Sequence, residues 1–174
     1  NRSCLMYSVN SDGLWSDPEP IWDTGTNDLY ADLQVVGNKL CVVWQKINDE
    51  IGGNTKNAYT DMQKRSDICF AMYNPDTRKF ENAQYIVNND HTDMMPKLAI
   101  GGDIVTAVWV RNLADDFMQR SGKNQVVYKT LEGESFGEEK LLIEVDKQVE
   151  ELTAFYEEGD LQVGLAMGSL SDTQ

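Results

Sequence analysis

The sequence predicts an all-β protein made of three four-stranded antiparallel repeats of the β-propeller blade type, which together form a partial or half propeller. Three observations support this prediction. Two different patterns recur along the chain at a spacing of about 56 to 65 residues, short runs of residues alternate in polarity as strands do, and glycine-containing turns separate these runs. The sequence shows no helical periodicity of useful length.

The first recurring pattern is a strand, a tight turn, a second strand and a tryptophan. It runs over 31–48 (ADLQVVGNKLCVVWQKIN) and again over 96–112 (PKLAIGGDIVTAVWVRN), which places Trp44 and Trp109 at equivalent positions of the two copies. The turns contain glycine and asparagine or aspartate, which tolerate the positive φ angles of short hairpin loops. A third copy over 150–167 (EELTAFYEEGDLQVGLAM) has a longer turn and no tryptophan.

The second recurring pattern is a strand, a polar turn and an aromatic residue that opens the next strand. In each copy the aromatic residue lies eight positions after the same residue of the preceding strand. The three pairs are Tyr7 and Trp15, Met72 and Phe80, and Tyr128 and Phe136. Because the two patterns alternate along the chain, one repeat contains four strands, which we name A, B, C and D.

The whole chain, 1–174, is predicted to be one β-propeller domain or a fragment of one. Complete repeats span roughly 31–87 and 88–145, and a split repeat combines 1–30 with 146–174. The predicted strands, in chain order, are C 3–8, D 14–22, A 31–36, B 39–46, C 67–73, D 80–87, A 96–100, B 103–110, C 124–130, D 136–144, A 151–156 and B 160–167.

Three blades are too few to close a ring, since known rings use about four to eight. The sequence therefore predicts that the open ends of the assembly are completed. Either a homodimer forms a six-bladed ring, or the remaining blades belong to a longer chain. Uncompleted blades would expose strand edges and apolar faces to solvent.

Composition and charge limit the classes of partner. The chain has 29 acidic and 15 basic residues and a net charge of -14, which disfavours binding to nucleic acid or to anionic membranes. No apolar run is long enough to insert into a membrane. No motif indicates a cofactor or a metal site. Cys4, Cys41 and Cys69 lie in apolar runs, which favours buried free thiols over a disulfide.

The turn at 8–15 (SVNSDGLW) resembles the Asp-box, Ser-x-Asp-x-Gly-x-x-Trp, of sialidase-like propellers. Ser8 and Trp15 match the motif in spacing, whereas Asn10 stands in place of the aspartate and Gly13 is displaced by one position. The repeat as a whole is similar to the sialidase or BNR-repeat superfamily. In that family the box stabilises a turn, so the resemblance implies a fold rather than an activity.

The resemblance also provides a test for catalysis. Sialidases hold the substrate carboxylate with three arginines and use a tyrosine nucleophile paired with glutamate, together with an acid/base aspartate. The chain contains five arginines, at positions 2, 65, 78, 111 and 120, and none lies in the expected Phe-Arg-Ile-Pro-like context. A complete sialidase site is therefore not expected within these residues.

Long polar connections, 23–30, 45–66, 88–95 and 111–123, alternate with the tight turns and should cluster on one face of the blades. Such loops on a rigid scaffold are the usual binding surface. Asp28 and Asp93 align in the D-to-A connections. They are either acceptors for ligand hydroxyls or a metal, or caps that bind the backbone of the turn into strand A.

Other candidate ligand-binding residues in these loops are Tyr30, Tyr59, His91, Arg111 and Asp115. The two tyrosines, like Phe117, could stack on sugar rings or simply anchor their loops. A lone histidine without a partner nucleophile supports no catalytic triad.

The function expected from the sequence is a non-catalytic recognition or scaffold module that binds a glycan or a protein through the long-loop face. One alternative is a sialidase-like glycoside hydrolase fragment whose active site needs further blades. Another is a structural half-propeller that assembles as a dimer. By analogy with proteins that carry such repeats, we expect a bacterial protein that is extracellular or on the cell surface.

Overall fold

The computed structural model describes residues 3–24, 27–47 and 65–168, and every regular element in them is a β-strand. The all-β prediction is therefore confirmed for this part of the chain. The strands are β1 (Met6–Tyr7), β2 (Asn10–Ser11), β3 (Leu14–Trp15), β4 (Glu19–Pro20), β5 (Asn27–Val36), β6 (Lys39–Ile47), β7 (Ser66–Asn74), β8 (Lys79–Val87), β9 (Thr92–Gly101), β10 (Ile104–Asn112), β11 (Asn124–Glu132), β12 (Ser135–Phe136), β13 (Lys140–Val145), β14 (Gln148–Glu157) and β15 (Asp160–Gly168).

Two antiparallel units dominate the fold. In the first, β5, β6, β7 and β8 pair in that order. In the second, β9 pairs with β10, β10 with β11, and β11 with β12 and β13. A single parallel bridge between Ser66 and Thr92 connects the two units into one nine-stranded sheet.

The two ends of the described chain form small separate sheets. The opening strands pair as β1 with β4 and β2 with β3, and the last hairpin pairs β14 with β15. β9 contacts both β5 and β14 side by side, although no backbone ladder joins these strands in the described residues. The described sheets do not close into a ring, and the propeller arrangement stays a prediction.

The buried apolar side chains form three clusters between these sheets. The largest joins the two antiparallel units and is built around Phe70, Leu98 and Trp109. A second packs the hairpin β14–β15 on β9–β11, and a third packs the opening segment on β6–β8 around Trp44. The tryptophans recognised in the repeat are therefore core residues, since both are fully buried.

Strand boundaries differ from the prediction mainly at the starts of the A strands. β5 and β9 begin four residues earlier than predicted, at Asn27 and Thr92. In both strands the pairing register shifts, between Leu29 and Asp32 in β5 and around Met95 in β9. A bulge of this kind interrupts the alternation of inward and outward side chains. The residues before the bulge were therefore not recognised as part of each strand from the sequence pattern.

The predicted D strands 14–22 and 136–144 are each divided in two. The first becomes β3 and β4, and the second becomes β12 and β13. Pro18 lies in the first interruption, and proline has no N–H to donate to a strand ladder. Gly137 lies in the second interruption, where its N–H donates instead to Thr130 O at 2.9 Å.

Gly101, at the end of β9, is where the terminal hairpin approaches the second unit most closely. A Cβ at this position would lie 2.6 Å from Cγ and 3.0 Å from Cβ of Tyr156 in β14. The hydroxyl of Tyr156 in turn lies 2.9 Å from the Thr106 hydroxyl oxygen in β10. The absence of a side chain at position 101 therefore lets the Tyr156 ring pack against the sheet.

We expect Gly101→Ala to lower the free energy of unfolding by about 1–3 kcal/mol, because the added methyl overpacks this contact. The measurement is urea unfolding followed by circular dichroism. The control is the same substitution in a Tyr156→Ala background, where the clash is gone and the cost of Gly101→Ala should nearly vanish. An equal cost in both backgrounds would place the effect in the turn rather than in the contact.

Candidate functional site

The main cleft on the long-connection face lies where three A strands begin. It has a volume of about 520 Å³, and its walls come from the starts of β5, β9 and β14 together with the loop at 117–119. Apolar side chains, among them Met95, Phe117 and Met118, line it beside the charged residues Lys97 and Glu150. A concave apolar surface with a few polar groups is the usual form of a small-ligand site.

Tyr30 and Met95 occupy matching bulges on two walls of the cleft. They hold equivalent positions in successive repeats, and their φ angles are +49° and +56°. Large side chains rarely adopt this left-handed conformation, and bulges often redirect a side chain at a binding site. Tyr30 is 59% exposed in this position, which leaves its ring available to a ligand.

The loop between β10 and β11 is held together by two polar side chains. Asp116 accepts hydrogen bonds from the backbone N–H groups of Met118, Arg120 and Ser121 at 2.8–3.0 Å. Asn112 accepts from two further N–H groups of the loop and donates to Ser121 O at 2.9 Å. These bonds give the loop a defined shape, so the side chains that it presents to the cleft are preorganised.

Gln119 fastens this loop to the hairpin across the cleft. Its side chain is buried, and its amide donates to Val149 O at 3.0 Å and accepts from Val149 N at 2.8 Å. The two bonds imitate a backbone pairing with β14. The cleft wall formed by the loop is therefore fixed relative to β14.

Asp93 and Arg111 form a buried ion pair at the edge of the same face. Asp93 Oδ1 accepts from Trp109 Nε1 at 2.7 Å and from Arg111 Nε at 2.8 Å. Arg111 also donates to both carboxylate oxygens of Glu139, at 2.5 and 3.0 Å. Burial lowers the pKa of Arg111, but the bonds to Glu139 and Asp93 outweigh it, and the pKa is raised overall.

Asp28 occupies the same position one repeat earlier. Its Oδ1 accepts from Trp44 Nε1 at 3.0 Å and from Lys46 Nζ at 3.1 Å, and its Oδ2 accepts from Leu5 N at 2.9 Å. The Asp28 and Lys46 side chains are 3% and 1% exposed. The same combination of aspartate, tryptophan and cation thus recurs in both repeats. The two aspartates bind groups of neighbouring segments and do not cap the turn into strand A.

His91 and Asp115 form an exposed pair on the rim of the second unit. His91 Nδ1 lies 3.3 Å from Asp115 Oδ1, and both side chains are accessible to solvent. The pair connects the loop before β9 to the loop after β10. Tyr59, the remaining predicted site residue, lies outside the described residues.

Arginines of the described chain do not converge on one site. Arg65 is exposed near Asp90, with 3.7 Å between Nη2 and Oδ1, and Arg78 donates to the Ser11 hydroxyl at the turn face. Arg111 is held by two carboxylates of the chain itself. The arrangement therefore offers no cluster of free guanidinium groups for a substrate carboxylate in this part of the protein.

Sequence reasoning missed most of the residues that line the cleft. Of the predicted site residues, the cleft contains Tyr30, whereas the buried networks hold Asp28, Asp93 and Arg111. Gln119, Met95 and Glu150 were missed, because a glutamine in a polar loop and a glutamate in a strand carry no local signal of a cleft. The equivalent repeat positions of Tyr30 and Met95 were the one available clue.

Asp67 in β7 is a further buried acid that sequence reasoning missed. It is 1% exposed, and its Oδ1 accepts from Asn89 N at 3.0 Å. Burial, opposed by this hydrogen bond and reinforced by Asp93 and Asp90, raises its pKa to about 7. Asp67 thus titrates close to neutral pH, far above an ordinary aspartate.

Comparison with known proteins gives no assignment: no protein-family model matches the chain, and no curated protein matches it.

Within the described ranges, no group of three or more histidine, cysteine or acidic side chains is placed to hold a metal ion. The same ranges contain no helix that is long and apolar enough to cross a membrane. Cys41 and Cys69 are buried free thiols, and Cys4 is a half-buried one.

Proposed function

We propose that the chain is part of a sialidase-like β-propeller that recognises a glycan without hydrolysing it, through the cleft at the starts of β5, β9 and β14. The cleft carries this proposal, because three equivalent strands of successive repeats begin around it. In a propeller the A strands surround the axis, and ligands bind at the end where the long loops emerge. The side-by-side contacts of β9 with β5 and β14 support the same arrangement.

The lining of the cleft suits a neutral, hydroxyl-rich ligand. The exposed ring of Tyr30 and the ring of Phe117 offer apolar faces on which a sugar can stack. Glu150, Glu151 and Gln148 provide acceptors for sugar hydroxyls at the opposite wall. Arg111 is already bound to Asp93 and Glu139, and the acids Glu150 and Glu151 outnumber Lys97 in the lining, which favours an uncharged saccharide over one that carries a carboxylate.

The proposal of recognition rather than hydrolysis rests on the two acids that align in the repeat. A retaining or inverting hydrolase places two carboxyl groups on opposite sides of the scissile bond. The buried acids Asp28 and Asp93 are engaged with tryptophan and cations of neighbouring strands. A scaffold of this kind, with a preorganised cleft and a glycan as ligand, fits an extracellular or cell-surface protein of bacteria.

The test is a glycan array followed by calorimetric titration with the best-binding neutral oligosaccharide. We expect Tyr30→Ala to weaken binding roughly tenfold, because loss of an aromatic contact costs about 1 kcal/mol or more. Tyr30→Phe is the matched control, since it keeps the ring and should bind almost as the wild type does. No binding to any glycan, or equal loss in both variants, would overturn the proposal, and release of reducing sugar would instead support a hydrolase.

A further inference from the structure

Two strand edges at opposite ends of the described chain lack the neighbour that their repeat position requires. The B strands β6 and β10 each pair on both sides, with an A strand and a C strand. β15 holds the B position but pairs with β14 alone among the described residues. The opening segment 3–9 holds the C position, and within 3–24, 27–47 and 65–168 it is bonded to its D strands while no B strand pairs with it.

Apolar side chains near these edges are exposed at positions that are buried elsewhere in the repeat. In β9, Leu98 is 1% exposed and Ile100 is half-buried, because the first unit covers them. The equivalent residues of the preceding repeat, Leu33 and Val35 in β5, are 49% and 63% exposed. The difference is therefore a missing neighbour, not a different strand pattern.

A cavity of about 380 Å³ marks the vacant position. It lies between the free C-position segment and the exposed face of β5–β6, and Leu5, Leu33, Leu40 and Val42 are among the residues that line it. Its lining is predominantly apolar. A pair of strands seated there would extend the small opening sheet and cover Leu33 and Val35 together.

Trp15, on the other side of the opening segment, also lacks, in the described part of the chain, the neighbouring strand on which its repeat equivalents pack. Its repeat equivalents pack on the C strand of the preceding repeat, with ring centroids 5.0 Å apart for Phe80 and Tyr7 and 5.1 Å apart for Phe136 and Phe70. Trp15 is 71% exposed. In a continuing ring of two copies, the C strand that precedes Trp15 would be β11 of the second copy.

We propose that two copies of the chain form a two-fold symmetric dimer in which hairpin β14–β15 of each copy packs over this cavity and the exposed face of β5 in the other. β15 would pair with segment 3–9 of the second copy and complete a four-stranded A-B-C-D sheet twice per dimer. The proposal rests on the propeller arrangement proposed above, but it does not depend on a glycan ligand.

A second copy fits better than an unrelated partner, because the chain itself holds both missing halves of one repeat. A two-fold dimer uses the same self-complementary surface on both copies, so it satisfies both free edges at once. Phe155, 49% exposed in β14, gives the hairpin an apolar residue for the interface.

Charge at the tight turns supports the same placement. In the described chain, the turn at 36–39 shares a cavity with Asp103 in the turn of the following repeat. The equivalent neighbour in the dimer would be the hairpin turn, which carries Glu157 and Glu158. Their carboxylates would lie near Lys39 of the second copy, which is an attractive pairing.

The first experiment is light scattering coupled to size-exclusion chromatography over a range of protein concentrations. We expect the wild type to have twice the chain mass of 19.7 kDa. We expect a monomer for Val35→Asp, which places a charge in the interface. Ile104→Asp is the matched control, because Ile104 is also exposed, at 44%, but lies outside the proposed interface, and it should stay dimeric. A monomeric wild type, or a dimer that Val35→Asp leaves intact, would overturn the proposal.

A second measurement keeps the result independent of folding defects. Chains carrying Val35→Cys are mixed with chains carrying Phe155→Cys and treated with a short bis-maleimide. A covalent heterodimer in the mixture, above the background of the wild type, supports the proposed contact. A signal no greater than that background would contradict it. Since neither readout involves glycan, failure of the dimer and failure of the glycan proposal can be told apart.

Discussion

Replacing Asp93 by alanine should destabilise the protein by about 3 kcal/mol, because it removes one of the two carboxylates that hold the buried Arg111 guanidinium, Glu139 being the other. Arg111 is 8% exposed, and Asp93 provides acceptors for its Nε and Nη2 atoms. The substitution also leaves the buried Nε1–H of Trp109 without its acceptor. The measurement is the free energy of unfolding from urea denaturation, with the slope of the transition compared between variants.

Two comparisons separate the buried pair from a general effect of charge. Asp115→Ala removes an exposed carboxylate that faces His91, and it should cost less than about 1 kcal/mol. The double variant Asp93→Ala/Arg111→Met removes both partners and should be more stable than Asp93→Ala alone. If the double variant lost the full sum of the two single costs, the pair would not act as a unit.

Replacing Asp67 by asparagine should stabilise the protein at pH 8 by an amount that approaches about 4 kcal/mol and disappears as the pH falls toward 4. The folded-state pKa of Asp67 is raised to about 7 by burial, whereas an unfolded chain titrates near the ordinary value of 3.8. The wild type therefore has its full stability from this group below about pH 4 and loses it as the pH rises through 7. Asparagine does not titrate, and its amide oxygen can still accept from Asn89 N.

Urea unfolding of the wild type and Asp67→Asn at half-unit pH steps from 4 to 8 tests this expectation. The difference between the two proteins should widen steadily between about pH 4 and 7 and then level off. Because both proteins carry nearly the same large acidic surface charge, general repulsion cancels in the difference. A difference that stays constant across this range would show that Asp67 is ionised in the folded protein.

The repeat pattern was sufficient to predict strands and their order, because strand patterns are local. Alternation and the position of turn residues depend on the residues of one hairpin and recur in every copy. The B strands β6 and β10 and the C strands β7 and β11 were recognised for this reason, and Trp44 and Trp109 were correctly assigned to the core. The errors fall at bulges and prolines, where one residue breaks the period of two.

The sequence by itself determined the all-β class and the recurrence of two interleaved strand patterns. Only the tertiary structure decided what the polar residues of the long connections do. Asp28 and Asp93 look like ligands in the sequence, but neighbouring strands bring Trp44 with Lys46, and Trp109 with Arg111, against their carboxylates. The cleft between Tyr30, Met95 and Gln119 also depends on packing between strands far apart in the chain. Contacts of this kind leave no local periodicity, because they are set by the distance between sheets and not by the order of residues within a strand.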